Sequence, residues 1–205
     1  MKSHVTVSRE AELLVCCARK ELDAAHGERI RTLVRQDLDW PLVRAAARAH
    51  ATLPLLYWHL GTIGPAGVPP AVLAELRADF HANTRRNLRL TGELLAILDL
   101  FRGQGIAAIP FKGPALAAAA YGNLALRQFV DLDLLVHPQD VRRAKALLAT
   151  RGYGAALRLT EDQEAALLRD RYEHLLRRDD DGTVVEIQWR IVPRHFGFPL
   201  DYARL

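Results

Sequence analysis

Cysteine is scarce in this sequence: Cys16 and Cys17 are the only two among 205 residues. Neighbouring residues of a helix point to different faces, so this pair predicts neither a disulfide framework nor a metal site. We expect both to be reduced, structural thiols. A composition of 50% hydrophobic and 25% charged residues excludes a collagen-like chain and a disordered tail. The length suits one sizeable core, or one domain with a helical annex.

Long hydrophobic runs are also missing. Arg, Asp or His interrupts every apolar stretch before it reaches the ~18 to 20 residues of a transmembrane helix, so we expect no membrane span. Residues 1–10 lack the apolar core and the cleavage site of a secretory signal, which predicts a cytoplasmic protein. The net charge of +4 is compatible with an anionic partner, but arginines spread along the chain indicate a solvated, mixed-charge exterior.

Several catalytic motifs are absent as well. The sequence contains no H-E-x-x-H or C-x-x-C pair and no G-x-S-x-G, so zinc hydrolysis and serine-triad chemistry have no anchor. It also lacks the glycine patterns of a P-loop and of a dinucleotide-binding site.

The first half of the chain has a helical pattern. Apolar residues recur every three or four positions over residues 8–60, which predicts two or three amphipathic helices. A loop rich in Gly and Pro over residues 61–70 is the best candidate for an internal boundary. A helical pattern over residues 71–101, in one helix or two, then ends at Gly103.

Strand patterns appear after Gly103. Short apolar runs at residues 106–111 and 129–136 predict two strands, and residues 172–191 predict a hairpin around an Asp-Gly turn. The predicted order is helices first, then strand, helix, strand, helix, strand, helix and a terminal hairpin.

Asp131 and Asp133 are the sharpest chemical feature. Residues two apart on a strand point to the same face, so these carboxylates lie close enough to share a hard divalent cation. Two adjacent anions cost energy unless a cation offsets their repulsion. The apolar neighbours indicate a central strand, which favours a metal site, while a solvated strand face is the alternative.

Glu186 stands in an otherwise apolar strand pattern and is the natural third carboxylate if its strand lies beside that of Asp131. The alternative is an outward-facing residue that alternates with Gln188. His174 precedes Glu186 on the partner strand of the hairpin, so it either faces the same site or is a hydrogen-bonded structural histidine.

A phosphate site is suggested by Lys112 and Gly113, which lie between a strand and a helix pattern. Glycine lets backbone N–H groups approach a phosphate, and a helix N-terminus favours negative charge. Arg127 adds a fixed cation for the same phosphates. The alternative is a tight turn with a solvated lysine and a surface arginine.

Together these elements resemble the uncharacterised bacterial nucleotidyltransferase family of the DNA polymerase beta superfamily. The elements occur in the family's order, as K-G, R-x-x-x-D-h-D and E-h-x-W. They are residues 111–116, Tyr121, Arg127, residues 131–136, residues 151–153 and residues 185–189, with Asp39, Trp40, His50 and residues 54–56 upstream.

The resemblance implies an α+β fold. A helical N-terminal region, residues 1–102, would pack on a small mixed-sheet, polymerase-beta-like nucleotidyltransferase core, residues 103–205. Because the chain stops soon after Glu186 while relatives look longer, we expect either a fragment or a compact member without a C-terminal helical region.

The resemblance also implies the roles of individual residues. Magnesium, or manganese in its place, would be held by Asp131, Asp133 and Glu186. Nucleotide phosphates would lie near Lys112 and Gly113, with Arg127 in support. Beside the residues that the resemblance assigns, His174, Gln188 and Trp189 are candidate substrate contacts.

Two positions depart from the family pattern. Pro114 stands where a serine hydroxyl usually binds phosphate in the superfamily, and Gln188 stands where this family often has histidine. Both departures bear on phosphate and substrate contact, and neither removes a carboxylate.

The sequence therefore predicts magnesium-dependent transfer of a nucleoside monophosphate from a nucleoside triphosphate, such as ATP, to an acceptor hydroxyl. The acceptor is a small molecule, a protein or an RNA. One alternative is a non-catalytic member that binds nucleotide or RNA as a sensor. Another is a toxin–antitoxin-type partner protein that uses its helical segment as an interface.

Overall fold

A computed structural model describes residues 7–64, 66–155 and 160–191. Within these ranges the chain forms eight α-helices and one five-stranded sheet, which confirms the α+β prediction. The helices are α1 (Arg9–Cys17), α2 (Ala24–Val34), α3 (Trp40–Ala49), α4 (Leu53–Ile63), α5 (Pro70–Gly103), α6 (Gly113–Leu116), α7 (Val141–Thr150) and α8 (Glu161–Asp170). The strands are β1 (Ala108–Pro110), β2 (Asp131–Val136), β3 (Tyr153–Ala155), β4 (Glu173–Arg178) and β5 (Val184–Gln188).

In the described residues from position 7 onwards, four helices, rather than the predicted two or three, precede the glycine- and proline-rich loop. Side chains of Ser8, Asp23 and Asp39 accept hydrogen bonds from the first turns of α1, α2 and α3, which fixes where each helix begins. The additional boundary lies at Ala51, whose φ of 54° breaks the helical path before α4. The apolar faces share one buried cluster that includes Leu13, Leu33, Val43, Leu56 and Leu76.

Helix α5 is one continuous helix of 34 residues. From the sequence, its polar middle allowed either one helix or two. Asn83 and Asn87 lie in that middle and are buried. Their side-chain amides donate to backbone carbonyls of the 124–127 segment, at 3.0 Å for Asn83 to Ala125 and 2.6 Å for Asn87 to Leu124. Because these amides bond outside the helix, they do not compete with its backbone hydrogen bonds.

The described residues group into two compact units. The first is drawn from Met1–Asn87 and Ala120–Gln128, and the second from Leu88–Ala119 and Phe129–Leu205. The division therefore falls within α5, whereas the sequence placed its boundary candidates at residues 61–70 and after residue 102. None of the helices in the described ranges has the length and apolar character needed to cross a membrane.

The second unit contains the sheet, with strand order β1-β2-β5-β4-β3. Strands β2 and β5 are parallel and the other pairs are antiparallel, so the sheet is mixed, as predicted. On one face of the sheet, the side chains of β2 and β5 are fully buried and apolar. They belong to Leu132, Leu134, Val185 and Ile187. Since strand side chains alternate, the polar residues of β2 and β5 lie together on the other face.

Candidate functional site

Three carboxylates lie on the polar face of β2 and β5. Asp131 and Asp133 alternate with the buried Leu132, and Asp133 pairs directly with Glu186 across the parallel strands. Directly paired residues project to the same side of a sheet, so the structure brings Asp131, Asp133 and Glu186 together. Asp133 is the most buried of the three, with 3% of its surface exposed. A buried carboxylate is costly unless hydrogen bonds or an opposite charge stabilise it.

Two side chains compensate Asp133 with hydrogen bonds to the same oxygen. Lys112 Nζ donates to Asp133 Oδ1 at 2.7 Å, and Gln188 Nε2 donates to it at 3.0 Å. The Gln188 amide also lies 3.2 Å from Glu186 Oε2. Lys112 and Gln188 therefore belong to the carboxylate cluster.

Gly113 brings the Lys112 turn against the start of β2. Its φ is +48°, a left-handed conformation that side chains disfavour, and an added Cβ would stand 3.2 Å from the carbonyl oxygen of Asp131. Both observations favour glycine here. The chain then enters α6, with Pro114 in its first turn, and a π-helical turn over Ala117–Tyr121.

The charges of the cluster shift two pKa values. Burial raises the pKa of Glu186, and the negative charges of Glu173, Asp133 and Asp131 raise it further. Burial alone would lower the pKa of Lys112, but its hydrogen bond to Asp133 and the surrounding carboxylates raise it above the usual value. The polar face thus carries an excess of negative charge that favours a cation.

Sequence reasoning missed Glu173. It lies on β4 directly opposite Gln188 and therefore on the same face as Glu186. Its neighbour Tyr172 has a raised pKa, caused first by a hydrogen bond with Glu173. The signal was present in the hairpin, because fixing the Asp-Gly turn also fixes which β4 residues share the face of Glu186.

His174 lies on the opposite face, which argues against the alternative in which it faces the same site as Glu186 and contacts substrate. It pairs with Ile187, one residue further along β5, and a shift of one residue reverses the face of a strand side chain. Burial lowers the pKa of His174, and the nearby charge of Lys145 lowers it further. The site on the polar face therefore does not include His174.

Trp189 packs in the protein interior and is 0% exposed. Its indole N–H donates to the carbonyl of Leu168 at 3.0 Å, which ties the end of β5 to α8. A fully buried ring offers no surface to a substrate, so the structure assigns Trp189 to packing and corrects the predicted substrate contact.

Arg127 belongs to the first unit, within Ala120–Gln128. Its backbone carbonyl accepts hydrogen bonds from the side-chain amides of Asn83 and Asn87, at 3.3 and 2.7 Å. The role of Arg127 at nucleotide phosphates stays a prediction.

The donor set of the cluster fits a hard divalent cation, since three carboxylates share one face and oxygen ligands are what magnesium and manganese prefer. Among the described residues, no group of three or more His, Cys, Asp or Glu side chains is already arranged so that it could hold a metal ion. Asp133 is instead held by Lys112 and Gln188, so a cation would have to share or displace one of these contacts.

Comparison with known proteins identifies the family. The sequence matches the model of a family described as uncharacterised nucleotidyltransferase over residues 36–205, which include every member of the cluster. Neither a curated protein nor a solved structure matches it. The match confirms the resemblance drawn from the motifs and supports nucleotidyl transfer as the general kind of reaction. This chain belongs to the uncharacterised nucleotidyltransferase family.

Proposed function

We propose that the chain is a magnesium-dependent nucleotidyltransferase with a polymerase-beta-like core, which moves a nucleoside monophosphate from a nucleoside triphosphate to an acceptor hydroxyl. The observation that carries the proposal is the convergence of Asp131, Asp133 and Glu186 on one face of two paired parallel strands. Family membership supports the same kind of reaction.

The three carboxylates would hold magnesium, or manganese in its place. When bound, such ions neutralise charge on the phosphates and orient the attacking and leaving oxygens. Manganese accepts the same oxygen ligands, so it serves as a probe of the site.

The other residues of the cluster would bind and orient the substrate. Lys112 is half exposed, with 47% of its side chain accessible, and can turn from Asp133 to a phosphate oxygen. The Gly113 backbone allows the phosphates to approach closely.

The proposed reaction is an in-line displacement. The acceptor oxygen forms a bond to the α-phosphorus, the bond between that phosphorus and the bridging oxygen breaks, and pyrophosphate leaves. We assign Glu186 to receive the proton of the acceptor hydroxyl, because it is less buried than Asp133.

Calorimetry with ATP in Mg²⁺ or in EDTA tests the proposal. We expect Mg²⁺-dependent binding that is lost in Asp131→Asn and in Asp133→Asn, because each change removes a charged ligand. Asp99→Asn is the control, since Asp99 is 71% exposed and pairs only with Arg102 among the contacts described. Wild-type affinity in both cluster variants contradicts the proposal. Binding without pyrophosphate release, tested over small-molecule, protein and RNA acceptors, favours the non-catalytic sensor.

A further inference from the structure

The side-chain amide of Gln188 lies between two carboxylates from different strands. It is 1% exposed, and its nitrogen is 3.0 Å from Asp133 Oδ1 and 3.2 Å from Glu186 Oε2. An amide NH₂ group carries two hydrogens, so it can donate to each carboxylate at once. Gln188 is therefore the one described side chain with hydrogen bonds to both Asp133 and Glu186.

The position matters because Asp133 and Glu186 are directly paired. Like charges directly opposite one another on neighbouring strands are destabilising and drive the side chains apart. A donor that bonds to both carboxylates opposes this movement. It also leaves the net charge of the cluster unchanged, so it does not weaken the attraction for a cation.

Lys112 cannot serve in the same way. Its hydrogen bond reaches Asp133, and nearly half of its side chain is exposed. An exposed ammonium can exchange its partner for a phosphate and carries a positive charge that competes with a metal ion. The buried Gln188 has neither property.

The orientation of the amide is fixed by its surroundings. Glu173 pairs with Gln188 on β4 and lies on the same face, so negative charge approaches the amide from both neighbouring strands. Reversing the amide would bring its carbonyl oxygen against the Asp133 and Glu186 carboxylates and would cost both hydrogen bonds.

We propose that Gln188 is a positioning residue that holds Asp133 and Glu186 together, so that their remaining oxygens bind one cation. This inference rests on the proposed metal-dependent function. Groups that orient metal ligands typically contribute about 10- to 100-fold to metal affinity. Because Gln188 is buried, we assign it this role in place of the substrate contact expected from the sequence.

The test is Mn²⁺ binding by the whole chain, followed through the electron paramagnetic resonance signal of free Mn²⁺ and competed with Mg²⁺. Gln188→Met keeps the length of the side chain and removes its N–H donors. We expect about 10- to 100-fold weaker Mn²⁺ binding. Gln139→Met is the matched control, since Gln139 is exposed in the turn before α7, and we expect wild-type affinity.

Thermal unfolding in EDTA separates positioning from a purely structural role. A structural role lowers the unfolding temperature but leaves the Mn²⁺ affinity of the folded variant unchanged. If wild type binds Mn²⁺ and Gln188→Met binds it within about threefold, the positioning role is refuted. If wild type itself binds no Mn²⁺, the proposed metal-dependent function fails instead.

A measurement on wild-type protein covers the case in which Gln188→Met does not fold. The side-chain amide protons of Gln188 are observable by NMR. We expect them to exchange with water far more slowly than those of Gln139, and to shift during Mg²⁺ titration. Exchange as fast as that of Gln139 would show that the amide is not held by the carboxylates and would overturn the proposal.

Discussion

Replacing Gly113 by alanine tests whether the Lys112 turn depends on close backbone approach. Gly113 has a φ of +48°, and an added Cβ would lie 3.2 Å from the carbonyl oxygen of Asp131. Strand β2 is held by β5 at Asp131, so the turn rather than the strand has to yield. We expect Gly113→Ala to destabilise the protein and to move Lys112 away from the carboxylates.

The magnitude has three parts. Left-handed backbone costs a non-glycine residue about 1–2 kcal/mol, and an alanine recovers about 0.4–1 kcal/mol by restricting the unfolded chain. The close contact adds about 1 kcal/mol, the lower end for overpacking. We therefore expect the free energy of unfolding to fall by about 2 kcal/mol for Gly113→Ala.

Gly105→Ala is the matched control. Gly105 also has a positive φ, of +67°, but an added Cβ would meet nothing within 4 Å. We expect a loss of about 1 kcal/mol from backbone strain alone, and unchanged Mn²⁺ and ATP binding. Urea denaturation gives the stabilities and calorimetry the affinities. Equal losses of stability for the two variants, with wild-type ATP affinity in Gly113→Ala, would refute the reasoning.

Two further predictions concern charged residues of the second unit. Lys112→Met removes the positive charge and one of the two hydrogen bonds at Asp133 Oδ1. Without nucleotide we expect Mn²⁺ affinity to rise about fivefold, or about 1 kcal/mol for a half-exposed ion pair, while ATP affinity falls. Calorimetry measures both affinities, and unchanged Mn²⁺ affinity would argue against competition between lysine and metal. Burial alone would raise the pKa of Glu93, but hydrogen bonds from Arg151, Tyr153 and Arg178 lower it below the usual value. The ionised carboxylate therefore stabilises the folded state above its unfolded-state pKa, and this contribution is lost as the pH falls. We expect the free energy of unfolding of Glu93→Gln, measured by urea denaturation, to fall less than that of wild type between about pH 5 and about pH 3. Equal changes of stability with pH in the two proteins would contradict this prediction.

Much of the local structure was predictable because its causes are local. The side chains that cap α1, α2 and α3 lie close in sequence to the backbone groups they bind. The order of strands and helices after Gly103 followed from the spacing of apolar residues and from the Gly and Pro residues between them. The continuity of α5 was not predictable. It depends on carbonyls of the 124–127 segment that accept the amides of Asn83 and Asn87.

The candidate site was partly predictable for the same reason. The spacing of Asp131 and Asp133 places them on one face of any strand, so their pairing required no tertiary information. Trp189 looked like part of a site motif, but only packing against α8 shows that its ring is fully buried. The position of a residue in a motif does not show whether other parts of the protein cover its side chain.

The sequence by itself was enough to identify the candidate carboxylates, the glycine of the Lys112 turn and the family. Tertiary structure decided that Glu186 lies opposite Asp133 across two strands that are distant in the sequence. Gln188 shares the face of Glu186 through strand alternation, and the hairpin register places Glu173, but not His174, on that face. The physical reason is register. Strand alternation repeats every two residues, so a local pattern fixes which residues of one strand share a face. Which faces of two strands coincide depends on pairing between distant segments, and a shift of one residue reverses it.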